Sequence, residues 1–114
     1  MTLPYADRVS VDREKVTEYL LSSSHPDGRS KSAFFGRYGF RAEEWQVLAR
    51  ALCKHGQLYP VSTIVDSDYG SRYSIEGALE TPDGRQPIVR TIWMIDKGTT
   101  IPRLITAYPA SEKR

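Results

Sequence analysis

Apolar residues recur every three or four positions in the first half of the chain and every second position in the second half. In VDREKVTEYLLS (11–22), Val16, Tyr19 and Leu20 fall on one side of a helix, and Asp12 stands where a cap is needed. The run SSSHPDG ends that helix, because Pro26 disfavours helical geometry at His25 and Asp27-Gly28 is turn chemistry. A short second helix is predicted from Ser30 or Lys31 to Gly39, which suits a left-handed cap, with Phe34 and Phe35 supplying core. A third is predicted from about Ala42 to His55, ended by Gly56 and burying Trp45, Leu48, Ala49 and Leu52.

The period then becomes that of a strand. VSTIVD (61–66) is a β-branched run, and RYSIEGALE (72–80) puts Tyr73, Ile75 and Leu79 on one face with Arg72, Ser74 and Glu76 on the other. After the turn TPDGRQ comes PIVRTIWMID (87–96), apolar enough to predict a central strand covered on both faces. KGTTIP turns the chain into RLITAY (103–108), the last strand. Short connections favour antiparallel neighbours. The expected fold is a single α+β domain: about three N-terminal helices packed on a four-stranded antiparallel meander. The helical half is 11–56, the sheet half 60–109, and the tails are 1–8 and 110–114.

Composition narrows the function classes. A chain of 114 residues with 39% hydrophobic and 26% charged residues reads as one globular domain and not as a disordered segment. Cys53 is the only cysteine, so an intramolecular disulfide is excluded and a reducing compartment is compatible. No long apolar run predicts a membrane span, and MTLPYADRVS lacks the pattern of a signal peptide, so a cytoplasmic location without a membrane partner is expected. Net charge is only +2, but Arg29, Lys31, Arg37 and Arg41 follow His25 closely, against Asp27 alone. Such a segment fits either an anionic partner or a solvated helical face.

His25 and His55 lack ligand-spaced partners, and neither an EF-hand loop, a His-Glu-x-x-His helix nor a glycine-rich phosphate loop is present. No metal and no cofactor are therefore expected. Cys53 and His55 sit two apart on a helix and point in different directions, so Cys53 reads as a packed residue.

What remains is His25 with Lys31, together with cations on the strands. Arg90 interrupts the most apolar strand, sharing a face with Ile88, Ile92 and Met94; it must pair with an acid such as Glu76 or Glu80, bind an anion, or reach solvent. Thr106 and Tyr108 share a face of the last strand. Metal-independent RNA cleavage needs a base for the 2′-hydroxyl, an acid for the leaving 5′-oxygen, and donors or cations for the charged phosphorane. Histidine suits the proton transfer, lysine and arginine suit the phosphate, and a helix start near Ser30-Lys31 offers amide groups to an anion. Arg29, Arg103 and Tyr108 are further candidates for RNA or phosphate contact.

The pattern LPYADR…HPDGRSKSAFF…VRTIWMID…PRLITAYP resembles a small, uncharacterised bacterial family, over about Leu3 to Pro109. Its members look like free-standing proteins or C-terminal modules of phage-derived and polymorphic-toxin proteins. More distantly, the layout resembles the barnase–EndoU–colicin–RelE group of ribonucleases, which also have N-terminal helices before an antiparallel sheet. That resemblance implies His25 and Lys31 as the catalytic corner, Arg90 as the strand cation and Thr106 as the closing hydroxyl, by analogy of fold.

Two functions of different class follow. One is a metal-independent endoribonuclease of toxin type acting on cellular RNA, with a cognate antitoxin or immunity protein as partner. The other is a non-catalytic interaction module, itself an immunity, antitoxin or adaptor partner in a toxin or phage-derived locus. A third, a plain RNA-binding domain, would use Tyr5, Tyr59, Tyr69 and Trp93 to stack bases, although strand aromatics more often belong to a core.

Overall fold

A computed structural model describes residues 1–26 and 28–110. The expected turn role of Asp27 and most of the expected tail 110–114 therefore lie outside the described residues. Three helices precede the sheet: α1 (Arg13–Lys15), which runs directly into a π-helical turn (Val16–Leu20), α2 (Arg29–Arg37) and α3 (Trp45–Leu58). Single 3₁₀ turns at Ala6–Arg8 and Ala42–Glu44 precede α1 and α3. Four strands follow, β1 (Val61–Ser67), β2 (Gly70–Ala78), β3 (Ile88–Asp96) and β4 (Arg103–Pro109), paired antiparallel in the order β1-β2-β3-β4. The expected α+β meander is what forms.

The first helix departs from its expected form. Asp12 makes no side-chain cap, and the Leu21 amide reaches back five residues to the Val16 carbonyl (2.8 Å). This wider turn buries Val16 and Leu20 completely while Tyr19 is only partly covered. π-turns are rare and cluster at functional sites.

The third helix also differs. It does not stop at Gly56 but continues to Leu58. The reason is packing: a Cβ on Gly56 would lie 2.7 Å from the Trp93 ring, so the glycine lets the helix press onto the indole. By contrast, α2 ends as expected, at Gly39 with φ 99° and the Phe40 amide bonded to the Phe35 carbonyl. Trp45, expected to be buried, is only partly so.

The core lies between α3, the π-turn and one face of the sheet, where Phe35, Leu48, Leu52, Ile75, Val89 and Trp93 are sealed from solvent. β3 is central, as expected, but it is covered on one face only. Val89, Thr91 and Trp93 face the core, whereas Ile88 on the opposite face is 50% exposed. Helices occupy one side of the sheet, so the side carrying Arg90 is open.

The N-terminal segment sets the position of the π-turn. Ser10 pairs with β4 at Arg103, with the Ser10 amide on the Pro102 carbonyl (2.8 Å) and the Leu104 amide on the Ser10 carbonyl (3.0 Å). The chain thus runs along the β4 edge before entering α1, which brings Tyr19 beside the second half of β4.

Candidate functional site

Tyr19 is the residue around which the predicted corner assembles. Its hydroxyl lies 3.0 Å from Thr106 Oγ1 on β4. The His25 ring meets the Tyr19 ring edge-on, with centroids 5.0 Å apart and planes at 72°. Lys31 Nζ stands 5.5 Å from the Tyr19 ring centroid and Lys15 Nζ 5.1 Å, both within cation–π range. Gly28 makes this approach feasible: a Cβ there would overlap the Tyr19 carbonyl, so the start of α2 is pressed against the π-turn.

His25 also shapes the helix start. Its Nδ1 accepts from the Gly28 amide (3.1 Å), and its carbonyl accepts from the Arg29 amide (3.0 Å). An accepting Nδ1 leaves Nε2 to carry the proton of the neutral ring. The Gly28 and Arg29 amides are therefore engaged by His25 and do not point at an external anion. The Arg29 side chain is exposed. Asp12, Glu14 and Glu18 line the same open depression as Lys15, Tyr19 and His25, so this rim carries both signs of charge.

Arg90 lies apart from that corner. Cross-strand register makes one row, Glu76–Arg90–Tyr108, on adjacent strands. Arg90 Nε donates to Glu76 Oε2 (2.7 Å) and Nη2 contacts the same oxygen, so the guanidinium is turned toward β2 and away from β4. The pairing with Glu76 is the structural option expected for an arginine in an apolar strand.

Thr106 joins the two groups. Ala107 is buried opposite Thr91, so Thr106 and Tyr108 on either side of it face the open side of the sheet with Arg90. Thr106 stands opposite Ile92, two positions along β3 from Arg90. The structure thus gathers His25, Lys31 and Thr106 around Tyr19, and sets Arg90, Tyr108 and Glu76 in the adjoining row. Arg103 is drawn to the far end of β4, where it forms a fork with Asp96 (2.7 and 3.1 Å); that bond holds the Asp96 carboxyl below its usual range and raises Arg103.

The second histidine is a core residue. Trp93 Nε1 donates to Thr91 Oγ1 (2.9 Å), Thr91 Oγ1 is 3.1 Å from His55 Nδ1, and His55 Nε2 lies 2.9 Å from the Val89 carbonyl and 3.1 Å from that of Gly77. The two carbonyls require a proton on Nε2, so Thr91 donates to Nδ1 and the chain is complete with a neutral ring. Burial pushes the His55 pKa down, against the raising effect of the two carbonyls. Burial likewise pushes the Cys53 thiol up, which makes it a poor nucleophile. Trp93 is fully buried and the Tyr59 ring packs on Gly77, which removes both as base-stacking platforms, while Tyr5 and Tyr69 are 48% and 79% exposed. No group of three metal-ligating side chains occurs among the described residues, and no helix among them is long and apolar enough to cross a membrane.

Sequence reasoning missed Tyr19, which the apolar stripe had absorbed as core. The available signal was its hydroxyl, on a stripe otherwise filled by Val16 and Leu20 and immediately before the Ser-rich run that leads to His25.

The chain belongs to the family described as domain of unknown function DUF6883, which matches residues 2–111. No curated protein matches it. Among solved structures it is similar to a chain of a contact-dependent growth inhibition toxin–immunity protein complex from Klebsiella pneumoniae 342. The identity is 19%, the TM-score 0.68, and the match covers 87% of this chain and 97% of that one. That likeness establishes a shared fold.

Proposed function

We propose that the chain is a metal-independent endoribonuclease of toxin type, acting on cellular RNA, with its site along the β4 edge and the open face of the sheet. The observation that carries this reading is the convergence of His25, Lys31 and Thr106 on Tyr19, next to the row Glu76–Arg90–Tyr108. The pieces match what cleavage at a 2′-hydroxyl requires. In this reading His25 moves one proton and the Glu76 carboxylate the other. Arg90 neutralises the phosphorane, Lys31 the RNA backbone beside it, and the Thr106 and Tyr19 hydroxyls donate to phosphate oxygens. Arg90 is engaged with Glu76 in the empty site, so an arriving phosphate competes with the carboxylate for the guanidinium and releases it for proton transfer. Thr106, on the open face and bonded to Tyr19, aligns the two halves along one RNA backbone.

The resemblance to the barnase–EndoU–colicin–RelE ribonucleases supports this reading, as does a fold neighbour drawn from a toxin–immunity complex. A toxin of this kind acts in the cytoplasm and has a cognate immunity protein or antitoxin. The mixed charge beside His25 favours one alternative, the non-catalytic interaction module, because Asp12, Glu14 and Glu18 repel a polyanion.

The deciding experiment incubates purified protein with total RNA in EDTA, beside the His25→Ala/Lys31→Ala double variant. Cleavage by the wild type alone, leaving 2′,3′-cyclic phosphate ends, is the expected result. Cleavage by both proteins would assign the activity to other residues or a contaminant. Cleavage by neither sinks the nuclease and leaves the interaction module.

A further inference from the structure

The edge of the sheet opposite the candidate site is bare. Every residue of β1 from Ser62 to Ser67 is exposed, although the strand reads Val-Ser-Thr-Ile-Val-Asp-Ser and holds one charge, Asp66. Among the described residues its outer side is engaged at the start only, where the Val61 amide donates to the Met1 carbonyl (2.7 Å). Natural edge strands are normally blunted by lysine, proline, bulges or a covering loop. The one irregularity of β1 lies between Val61 and Thr63, which leaves Thr63 to Ser67 in regular register with β2 and available on its outer side.

Exposed apolar side chains gather along this edge. Ile64 is 44% exposed, Val65 60%, Tyr69 at the tip of the β1–β2 hairpin 79%, Leu58 just before β1 61%, and Met1 beside Val61 66%. Scattered singly they would need no account, but gathered along a free edge strand, on both of its faces, they mark a contact surface.

We propose that β1 pairs antiparallel with β1 of a second copy of this chain, centred on Ile64, so that two four-stranded sheets join into one. The sequence is self-complementary in that register. Ile64 faces Ile64, Thr63 faces Val65, and Ser62 faces Asp66, so no like charges oppose each other. The same register carries the hairpin tip of one copy past the start of the other's β1. Tyr69 then lies beside Leu58 and Met1, and the exposed apolar residues of this edge are covered together. A strand from an unrelated partner would satisfy the backbone but would have no reason to match the spacing of Leu58, Ile64 and Tyr69. The assembly is a two-fold, isologous dimer, and it leaves both β4 edges open.

The test uses the self-opposition of position 64. Light scattering on the eluting wild-type protein, over a concentration series, is expected to give twice the chain mass at the high end and the single mass on dilution. Ile64→Lys and Ile64→Glu each place like charges face to face, so each alone is expected to elute with the single mass. An equimolar mixture of the two is expected to recover the double mass, because lysine then faces glutamate. Circular dichroism establishes that each variant is folded, and Ile64→Thr, an uncharged strand former, serves as a second variant that keeps the dimer. A wild type of single mass at every concentration overturns the proposal. So does a mixture of folded Lys and Glu variants that stays at the single mass.

Discussion

The Tyr19 hydroxyl and Thr106 Oγ1, 87 residues apart in sequence, lie 3.0 Å from each other. This one contact ties the helical half to the edge strand at the place where His25 and Lys31 collect. Tyr19→Phe keeps the ring on which both pack and removes only the hydroxyl. The expected cost in stability is that of one hydrogen bond, about 1 kcal/mol. RNA cleavage is expected to fall by about tenfold or more, equal to about 1.4 kcal/mol of lost transition-state stabilisation. Tyr19→Ala removes the shared ring and is expected to lose both activity and more stability. A Tyr19→Phe protein with full cleavage rate would remove the hydroxyl from the site.

Arg90 and Glu76 form a partly buried pair, with side-chain exposures of 21% and 36%. Such a pair falls between the surface case, worth under about 1 kcal/mol, and the buried case, where removing one partner costs about 3–5 kcal/mol. Arg90→Ala is therefore expected to destabilise by about 1–2 kcal/mol, to be read from urea midpoints, and to abolish cleavage. Glu76→Gln retains a hydrogen-bond acceptor for Arg90 and loses the proton-transfer group. It is expected to fold normally and to cleave RNA poorly. Equal loss of binding and of rate in Glu76→Gln would restrict the carboxylate to a structural role.

The burial of His55 makes stability depend on pH. Its folded pKa is depressed below the ordinary value of 6.5, so the unfolded chain binds the proton more readily. The stabilisation from the neutral ring is complete above 6.5 and is lost as pH falls below it, toward the depressed folded value. Asp83 and Asp96, both held below 3.8, add their losses only further into acid. Urea midpoints are thus expected to drop as pH falls below about 6.5, with a slope that disappears in His55→Gln. A His25→Ala protein is expected to keep the slope, since the Trp93–Thr91–His55 chain is intact. An unchanged slope in His55→Gln would assign the effect to another group.

Most of the fold was legible because period and turn chemistry agreed. Gly39, Asp83-Gly84 and the change of period after Gly56 marked the elements, and the four strands formed where alternation placed them. Legibility failed where tertiary contact overrode local preference. Gly56 resembles a helix stop until Trp93 is seen against it, and α1 resembles a regular helix until the π-turn redirects Tyr19. Coverage of β3 on both faces was over-read from Ile88, Ile92 and Met94, because an apolar strand face does not reveal whether anything lies on it. In the site, residue types singled out His25, Lys31 and Arg90. Only register could show that Arg90 belongs to a row with Glu76 and Tyr108, and only the long-range fold could bring Thr106 to Tyr19.

Gly56→Ala sets two principles against each other. In a helix interior, alanine is favoured over glycine by about 1 kcal/mol, so propensity alone expects a more stable protein. The added methyl would, however, lie 2.7, 2.9 and 3.1 Å from three atoms of the Trp93 ring. That ring is fully buried and is fixed by its bond to Thr91, so it cannot rotate away without breaking the chain to His55. Overpacking in such a place costs about 1–3 kcal/mol, which exceeds the gain in propensity over most of that range. A net loss of stability is expected in urea unfolding, accompanied by a changed near-ultraviolet signal from Trp93. A stabilised Gly56→Ala protein with an unchanged tryptophan signal would mean that the helix does not press on the indole at this point.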